Sequence, residues 1–229
     1  MTGRIFTSFT TGVFTIIPAG DQLPEPCGIP LILGRKGAFG SGEHETTAAC
    51  LELLPLIPGI TGCRVLDLGS GTGILALAAA RLGAGVVAAV DLEWPAALSC
   101  RENAELNDLQ LQVLSMCGEL SCIGGRPFEL VMANIYADIL LPLADRLTEL
   151  TSPGGHILLS GIPLQDKFDI VRRYTSLGCR IIDSRIGEEF VTYLMLREDS
   201  PADQAGVTVA DRPASPAVLT ESGLGERVK

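Results

Sequence analysis

The sequence predicts a doubly wound α/β fold around a seven-stranded sheet, on three observations. Short apolar β-type runs alternate with segments of helical periodicity from about residue 45 to residue 197. The run Arg64 to Leu68 leads into glycines at 69, 71 and 73, and helical spacing resumes over Ile74 to Leu82, which is the strand, turn and helix order of a ligand-binding α/β unit. The last two β-type runs are separated only by Gly187 and Glu188, too few residues for a helical crossover, so they predict a terminal antiparallel hairpin.

Taken in order, residues 13 to 18 and 29 to 33 are β-type runs around a linker containing Pro and Gly, and predict a small hairpin or paired segment ahead of the main fold. Helices are expected at about 45 to 56, 74 to 82, 95 to 107, 137 to 150 and 164 to 176. Strands are expected at about 64 to 69, 86 to 91, 111 to 116, 128 to 134, 156 to 160, 179 to 186 and 189 to 197. That alternation builds a parallel sheet with helical crossovers. From Asp199 the chain turns to Ser, Pro, Ala, Gly and acidic residues without periodicity, the composition of a disordered tail. The expected organisation is an N-terminal β segment over 1–36 joined to the core, a main domain over 37–198 and a tail over 199–229.

Composition narrows the function classes. A chain of 229 residues, 47% hydrophobic, buries one sizeable core. A formal charge of −10 with only three lysines, Lys36, Lys167 and Lys229, argues against a phosphate-backbone footprint, so no direct nucleic-acid binding is expected and a protein partner is. Seven cysteines form an odd set with no C-x-x-C pair, which fits reduced core thiols in a cytoplasmic protein and no metal site. Phe6 to Pro18 is interrupted by threonines and Gly12, unlike a signal peptide, and the apolar region Ile74 to Val90 is broken by Arg81, Gly83 and Gly85, unlike a membrane span.

Val65-Leu66-Asp67-Leu68-Gly69-Ser70-Gly71-Thr72-Gly73 lets a ligand approach a sharply turned backbone with exposed N–H groups. Asp91, 22 residues after Gly69 at the tip of the next strand, is placed to take both hydroxyls of a ribose. Nicotinamide dinucleotides and S-adenosylmethionine both use such a site. The G-x-G-x-G spacing favours the second, and Asp67 is positioned to accept from its ammonium, directly or through water. The alternative is a glycine turn that packs a helix on a sheet. In the loop Gly37 to Thr47, Phe39 is suited to cover an adenine or thioether, Gly40 and Gly42 to turn tightly, and Thr46 or Thr47 to donate to a carboxylate at the helix start. The same residues also read as a helix cap by Ser41 or the threonines, with His44 on the surface or satisfied in the core. Asn134 ends the fourth strand of the sheet, where its side-chain carbonyl, with the Ala133 or Asn134 backbone carbonyl, can accept from an incoming amine. A plain strand-end turn residue is the other reading. Tyr136 walls an acceptor pocket or simply packs.

Seven strands with a terminal antiparallel hairpin is the arrangement of class I methyltransferases. Ala38-Phe39-Gly40-Ser41-Gly42-x-His44-x-Thr46-Thr47, the glycine turn, Ala133-Asn134-Ile135, and Leu159-Ser160-Gly161-Ile162 with Gln165 together resemble the bacterial PrmA-type methyltransferases of large-subunit ribosomal protein eleven, over roughly residues 6 to 197. The resemblance implies a Rossmann-like, S-adenosylmethionine-dependent N-methyltransferase acting on amines of a protein, with a ribosomal protein as first candidate. It implies that Phe39, Gly40, Thr46, Thr47, Gly69, Gly71, Asp91 and Asn134 line the cofactor and acceptor site. Ser41 stands where the family has threonine, and the family's N-terminal substrate-recognition domain has no counterpart before Phe6, so the expectation is a catalytic domain without it. A small-molecule methyltransferase and a low-turnover cofactor-binding subunit of a complex are the alternatives.

Overall fold

The computed structural model describes residues 6–34 and 43–199. The apolar runs form β4 (Arg64–Leu68), β5 (Val86–Asp91), β6 (Val113–Cys117), β7 (Phe128–Asn134), β8 (Thr151–Pro163), β9 (Cys179–Ile186) and β10 (Phe190–Arg197), with α1 (Glu45–Leu53), α2 (Ile74–Arg81), α3 (Trp94–Leu106), α4 (Ala137–Leu150) and α5 (Lys167–Ser176) between them. They assemble into one seven-stranded sheet in the order β6-β5-β4-β7-β8-β10-β9. All pairings are parallel except those of β10, which runs antiparallel to both β8 and β9. The predicted fold and hairpin are therefore present, with β10 inserted between β8 and β9.

Alternation along the central strands sends successive side chains to two cores, as the period of two requires. Val65 of β4 and Leu130 and Met132 of β7 join one core, against α1, α2 and α3. Leu66 and Leu68, with Val131 and Ala133, join the other, where α4 and α5 contribute Leu140, Leu147, Ile170 and Tyr174. The Tyr174 hydroxyl donates to the Leu140 carbonyl at 3.2 Å, tying α5 to α4. Seven of the eight α2 residues are buried, and four of these are alanines, which let the helix lie close on the sheet.

The predicted N-terminal pairing exists with a different geometry. β2 (Phe14–Pro18) and β3 (Ile29–Leu33) run parallel, and the hairpin partner of β2 is a strand the pattern did not reveal, β1 (Phe9–Thr11). Phe14, Ile16, Leu31 and Leu33 of this small sheet bury into the α1–α2–α3 core.

Boundaries moved where local chemistry dictates. α1 stops at Leu53 and a 3-10 turn follows: Leu54 keeps α geometry and donates to the Cys50 carbonyl, but Pro55 has no N–H with which to continue the ladder. The turn Asp166 N–H to Pro163 carbonyl, 2.9 Å, delays α5 to Lys167. β6 begins at Val113 after Asp108 turns the chain at φ 56°. β8 extends to thirteen residues despite Pro153 and the two glycines after it. Among the described residues no helix is long and apolar enough to cross a membrane. The expected tail lies outside the described residues apart from Asp199.

The strand order has one consequence for function. The chain winds outward from β4 to β5 to β6, then returns to place β7 on the other side of β4. A crevice opens where the crossovers reverse, beyond the carboxyl ends of β4 and β7.

Candidate active site

At the end of β4 the chain needs left-handed geometry three times, at Gly69 (φ 71°), Gly71 (φ 54°) and Gly73 (φ 80°). Space is short as well: a Cβ on Gly69 would lie 2.5 Å from Ile135 Cγ2, and one on Gly73 would lie 2.5 Å from Cys100 Sγ. The amides of this turn are not exposed as the glycine pattern suggests. Gly69 and Ser70 N–H donate to the Val90 carbonyl at 2.8 and 3.1 Å, Gly71 N–H donates to Asp91 Oδ2 at 2.9 Å, and Gly73 N–H donates to the Ser70 carbonyl at 2.7 Å. A pyrophosphate would compete with these internal bonds. A cofactor without phosphates leaves them in place.

Asp91 is anchored through both oxygens, since Oδ1 also accepts from Glu93 N–H at 2.9 Å. Each carboxylate oxygen retains acceptor capacity for a hydroxyl. Asp67 occupies a different place. It is 1% exposed beneath α2, where Oδ2 accepts from Ala76 N–H at 3.1 Å, and it does not line the cavity. Burial raises its pKa to about 7, with the charge of Asp91 adding to the effect and the Ala76 hydrogen bond opposing it.

The opposite wall is assembled from three distant segments. Asn134 ends β7 and its Nδ2 donates to Thr47 Oγ1 at 3.3 Å. Thr47 and Thr46 are buried in the first turn of α1, whose N-cap is His44. His44 Nδ1 sits 2.8 Å from Thr46 Oγ1 and accepts from Thr46 N–H at 3.4 Å, so the capping expected of Ser41 or the threonines is done by the histidine. The Thr46 carbonyl accepts from Ser160 Oγ of β8 at 3.2 Å. The third segment is the hairpin: because β10 is antiparallel to β8, its first residue, Phe190, arrives at the same end of the sheet and meets the His44 ring edge-on, with centroids 5.3 Å apart. Glu45 fixes the hairpin tip by accepting from Glu188 and Glu189 N–H at 2.8 and 3.1 Å. Gly161 (φ 74°) lets β8 close on this wall, since a Cβ there would lie 2.7 Å from the Ile135 carbonyl oxygen.

Between the walls lies a cavity of about 900 Å³, within the range of small-molecule sites. Of the residues expected at the site, Thr46, Gly69, Gly71, Asp91 and Asn134 line it together. Thr47 stands behind Asn134, and Asp67 lies below the turn. Phe39 and Gly40 fall outside the described residues. Tyr136 is 61% exposed at the mouth, so of its two readings the wall position fits. Sequence reasoning missed Phe190 and Ile139, which carry no local motif, and a rim of Glu93, Glu119 and Asp138, which comes together only in three dimensions. The lining is apolar inside and acidic at the edge, without lysine or arginine among the described residues. Those features fit an uncharged adenine and ribose with a cationic reacting end, and fit a pyrophosphate poorly.

The family model for ribosomal protein L11 methyltransferase (PrmA) matches residues 6–198. A ribosomal protein L11 methyltransferase of Pelobacter propionicus is 43% identical over 175 residues, covering 74% of this chain and 55% of that protein. The crystal structure of a ribosomal protein L11 methylase from Lactobacillus delbrueckii subsp. bulgaricus superposes with TM-score 0.76 at 26% identity, covering 85% of this chain and all of that one. A 16S rRNA methyltransferase of T. thermophilus, in complex with AdoMet and guanosine, shares the fold at TM-score 0.58 and 21% identity, over 71% of this chain and 45% of that one. The chain spans about half the length of the curated relatives it matches. With the family model matching residues 6–198 and the seven-stranded sheet with its terminal hairpin shared with the L11 methylase structure, the chain belongs to the ribosomal protein L11 methyltransferase (PrmA) family.

Proposed function

We propose that this chain is a methyl-transfer domain that uses S-adenosylmethionine to methylate amine nitrogens of a protein substrate, with ribosomal protein L11 as the first candidate. The observation that carries the reading is the convergence of Asp91 and Asn134, from strands flanking β4 on either side, on one cavity. When bound, the cofactor supplies a methyl group activated on a sulfonium. Asp91 holds the ribose hydroxyls, Gly69 and Gly71 admit the cofactor to the backbone, and Phe39, Gly40 and Thr46 join them by family resemblance. Asp67 supports the turn from beneath, holding the start of α2 through Ala76 N–H.

Asn134 orients the acceptor. With Nδ2 engaged by Thr47, its Oδ1 is left to accept from the amine N–H, which aims the nitrogen lone pair and steadies the positive charge that develops on it. The acidic rim of Glu93, Glu119 and Asp138 attracts a cationic lysine or N-terminal amine, while the apolar walls at Leu92, Ile139 and Leu143 favour its neutral, nucleophilic form. The net charge of −10 likewise favours a basic protein over nucleic acid as partner, and the free cysteines suit a cytoplasmic setting.

The test is transfer of radiolabelled methyl from S-adenosylmethionine to purified ribosomal protein L11 and to cell extract, with mass spectrometry of the labelled protein. Added multiples of one methyl group on the protein support the reading. Label confined to small molecules points to a small-molecule acceptor, and cofactor binding without transfer points to a binding subunit.

A further inference from the structure

β3 pairs with β2 along one edge, and its other edge meets α3 rather than another strand. Two asparagines one turn apart, Asn103 at 2% exposure and Asn107 at 1%, interrupt an α3 face otherwise formed by Ala96, Cys100 and Ala104. Asn107 completes the strand edge: its Oδ1 accepts from Ile32 N–H at 2.9 Å and its Nδ2 donates to the Ile32 carbonyl at 2.7 Å. Asn103 does something else. Its Oδ1 accepts from Gly34 N–H at 2.7 Å, while its Nδ2 donates to the Thr72 carbonyl at 2.8 Å, in the middle of the glycine turn. The backbone donor on one side and the backbone acceptor on the other fix the orientation of this buried amide.

Resting on the methyl-transfer reading above, we propose that Asn103 is a positioning residue for the cofactor: it locks the second half of the glycine turn, Thr72 and Gly73, directly after the Gly71 that donates to Asp91, and couples that turn to the docking of β3. The first half of the turn is held by the Val90 carbonyl and Asp91, both from β5. The second half is tied to α3, through the Thr72 carbonyl and through Cys100 packed against Gly73. Removing the Asn103 amide leaves the Thr72 carbonyl without this donor, so the Thr72–Gly73 peptide is held only from its Gly73 N–H side by the Ser70 carbonyl, and the geometry at the neighbouring Gly71 and Asp91 loosens although no cofactor contact has been deleted. Asn107 has its main-chain partners on β3 and within α3 itself, so it supplies the control.

The experiment compares full-length Asn103→Ala and Asn107→Ala with the wild type by melting temperature, by calorimetric binding of S-adenosylmethionine, and by the KM for that cofactor against kcat. Both variants should lose stability. Asn103→Ala should weaken binding five-fold or more and raise the cofactor KM by a larger factor than it lowers kcat, whereas Asn107→Ala should change affinity less than two-fold. A second measurement needs no variant: in the wild-type protein, saturating S-adenosylmethionine should raise hydrogen-exchange protection of Gly34 N–H together with that of Gly71 N–H. Equal affinities of the two variants, or protection gained at Gly71 with none at Gly34, would overturn the proposal while the wild type still binds. Absence of binding by the wild type would overturn the methyl-transfer reading and this proposal together.

Discussion

Under the proposed methyl transfer, the cofactor half of the cavity is lined by Gly69 and Gly71 of one continuous turn, completed by Asp91 and supported from beneath by Asp67, and its polar groups largely satisfy one another within the fold. The acceptor half gathers residues near 44–47, 134–139 and 190, and ends in exposed apolar side chains. The first half resembles a preformed mould. The second is a rim whose polar atoms converge only through tertiary structure. Perturbations of the first should therefore act through stability and cofactor affinity, and perturbations of the second through transfer to the acceptor.

The largest expected effect lies deepest in the cofactor half. Asp67 has its folded pKa raised to about 7 from the 3.8 of an unperturbed aspartate, chiefly by burial. The folded state therefore holds the proton more tightly than the unfolded one, and the stabilising contribution is complete below about pH 4 and is lost as pH rises through 7. Asp67→Asn cannot ionise, so its melting temperature should gain on the wild type progressively between pH 4 and 8, by an amount on the order of a few kcal/mol of stability. Melting curves at four or five pH values decide the matter. Parallel pH profiles for the two proteins would show that Asp67 titrates normally and that the turn is not built over a reluctant carboxylate.

Next in size come the two residues that face each other across the cavity. Asp91→Ala should weaken S-adenosylmethionine binding by about 1.5–3 kcal/mol, the scale of a hydrogen bond to a charged group. Calorimetry on a folded variant measures it, and unchanged affinity would take Asp91 out of the ribose role. Asn134→Ala should lower methyl transfer about ten-fold, or about 1.4 kcal/mol, while cofactor affinity falls much less, because its hydrogen bonds strengthen mainly in the transition state. Steady-state kinetics with a protein acceptor reads this out. Equal losses in binding and turnover for Asn134→Ala would erase the division between the halves.

The same division explains what could be read from the sequence. The strands of the sheet, the glycine turn and Asp91 were legible because each depends on neighbours close in the chain: apolar alternation, glycine spacing, and an acidic residue at the tip of the next strand. Asn134 was legible for its place at a strand end. The Thr47 hydroxyl that holds its amide was singled out as a cofactor contact, because the 87-residue separation hides the pairing. Phe190 had no signal, since its arrival depends on β10 inserting between β8 and β9. His44 was read as a bystander to the cap because serine and threonine are the stronger N-cap residues. Asp67 was read as an acceptor for the cofactor ammonium, directly or through water, and the alternation of β4 turns it under α2, off the cavity lining. The amides of Asn103 and Asn107 drew no reading from the sequence, because their partners at Ile32, Gly34 and Thr72 lie 31 to 75 residues away in the chain.

The smallest effect should come from the outermost residue of the acceptor half. Tyr136 takes the N-cap position of α4 through its backbone alone, its carbonyl accepting from Ile139 and Leu140 N–H at 3.1 and 3.0 Å, while its side chain makes no capping hydrogen bond. Replacing the ring by a methyl group leaves those bonds intact, so Tyr136→Ala should shift stability by no more than about 0.5 kcal/mol. Its ring stands at the mouth, where water competes with every contact, and rim positions of that kind contribute little to binding energy compared with buried ones. The expected outcome is a two- to five-fold rise in KM for a protein acceptor, set against unchanged cofactor affinity and an unchanged rate with a small amine that does not reach the mouth. Kinetics on the two acceptors side by side make the measurement. A loss of cofactor affinity in Tyr136→Ala would place the ring in the mould rather than on the rim, and an unchanged KM for the protein acceptor would show that the substrate enters without touching this edge of the cavity.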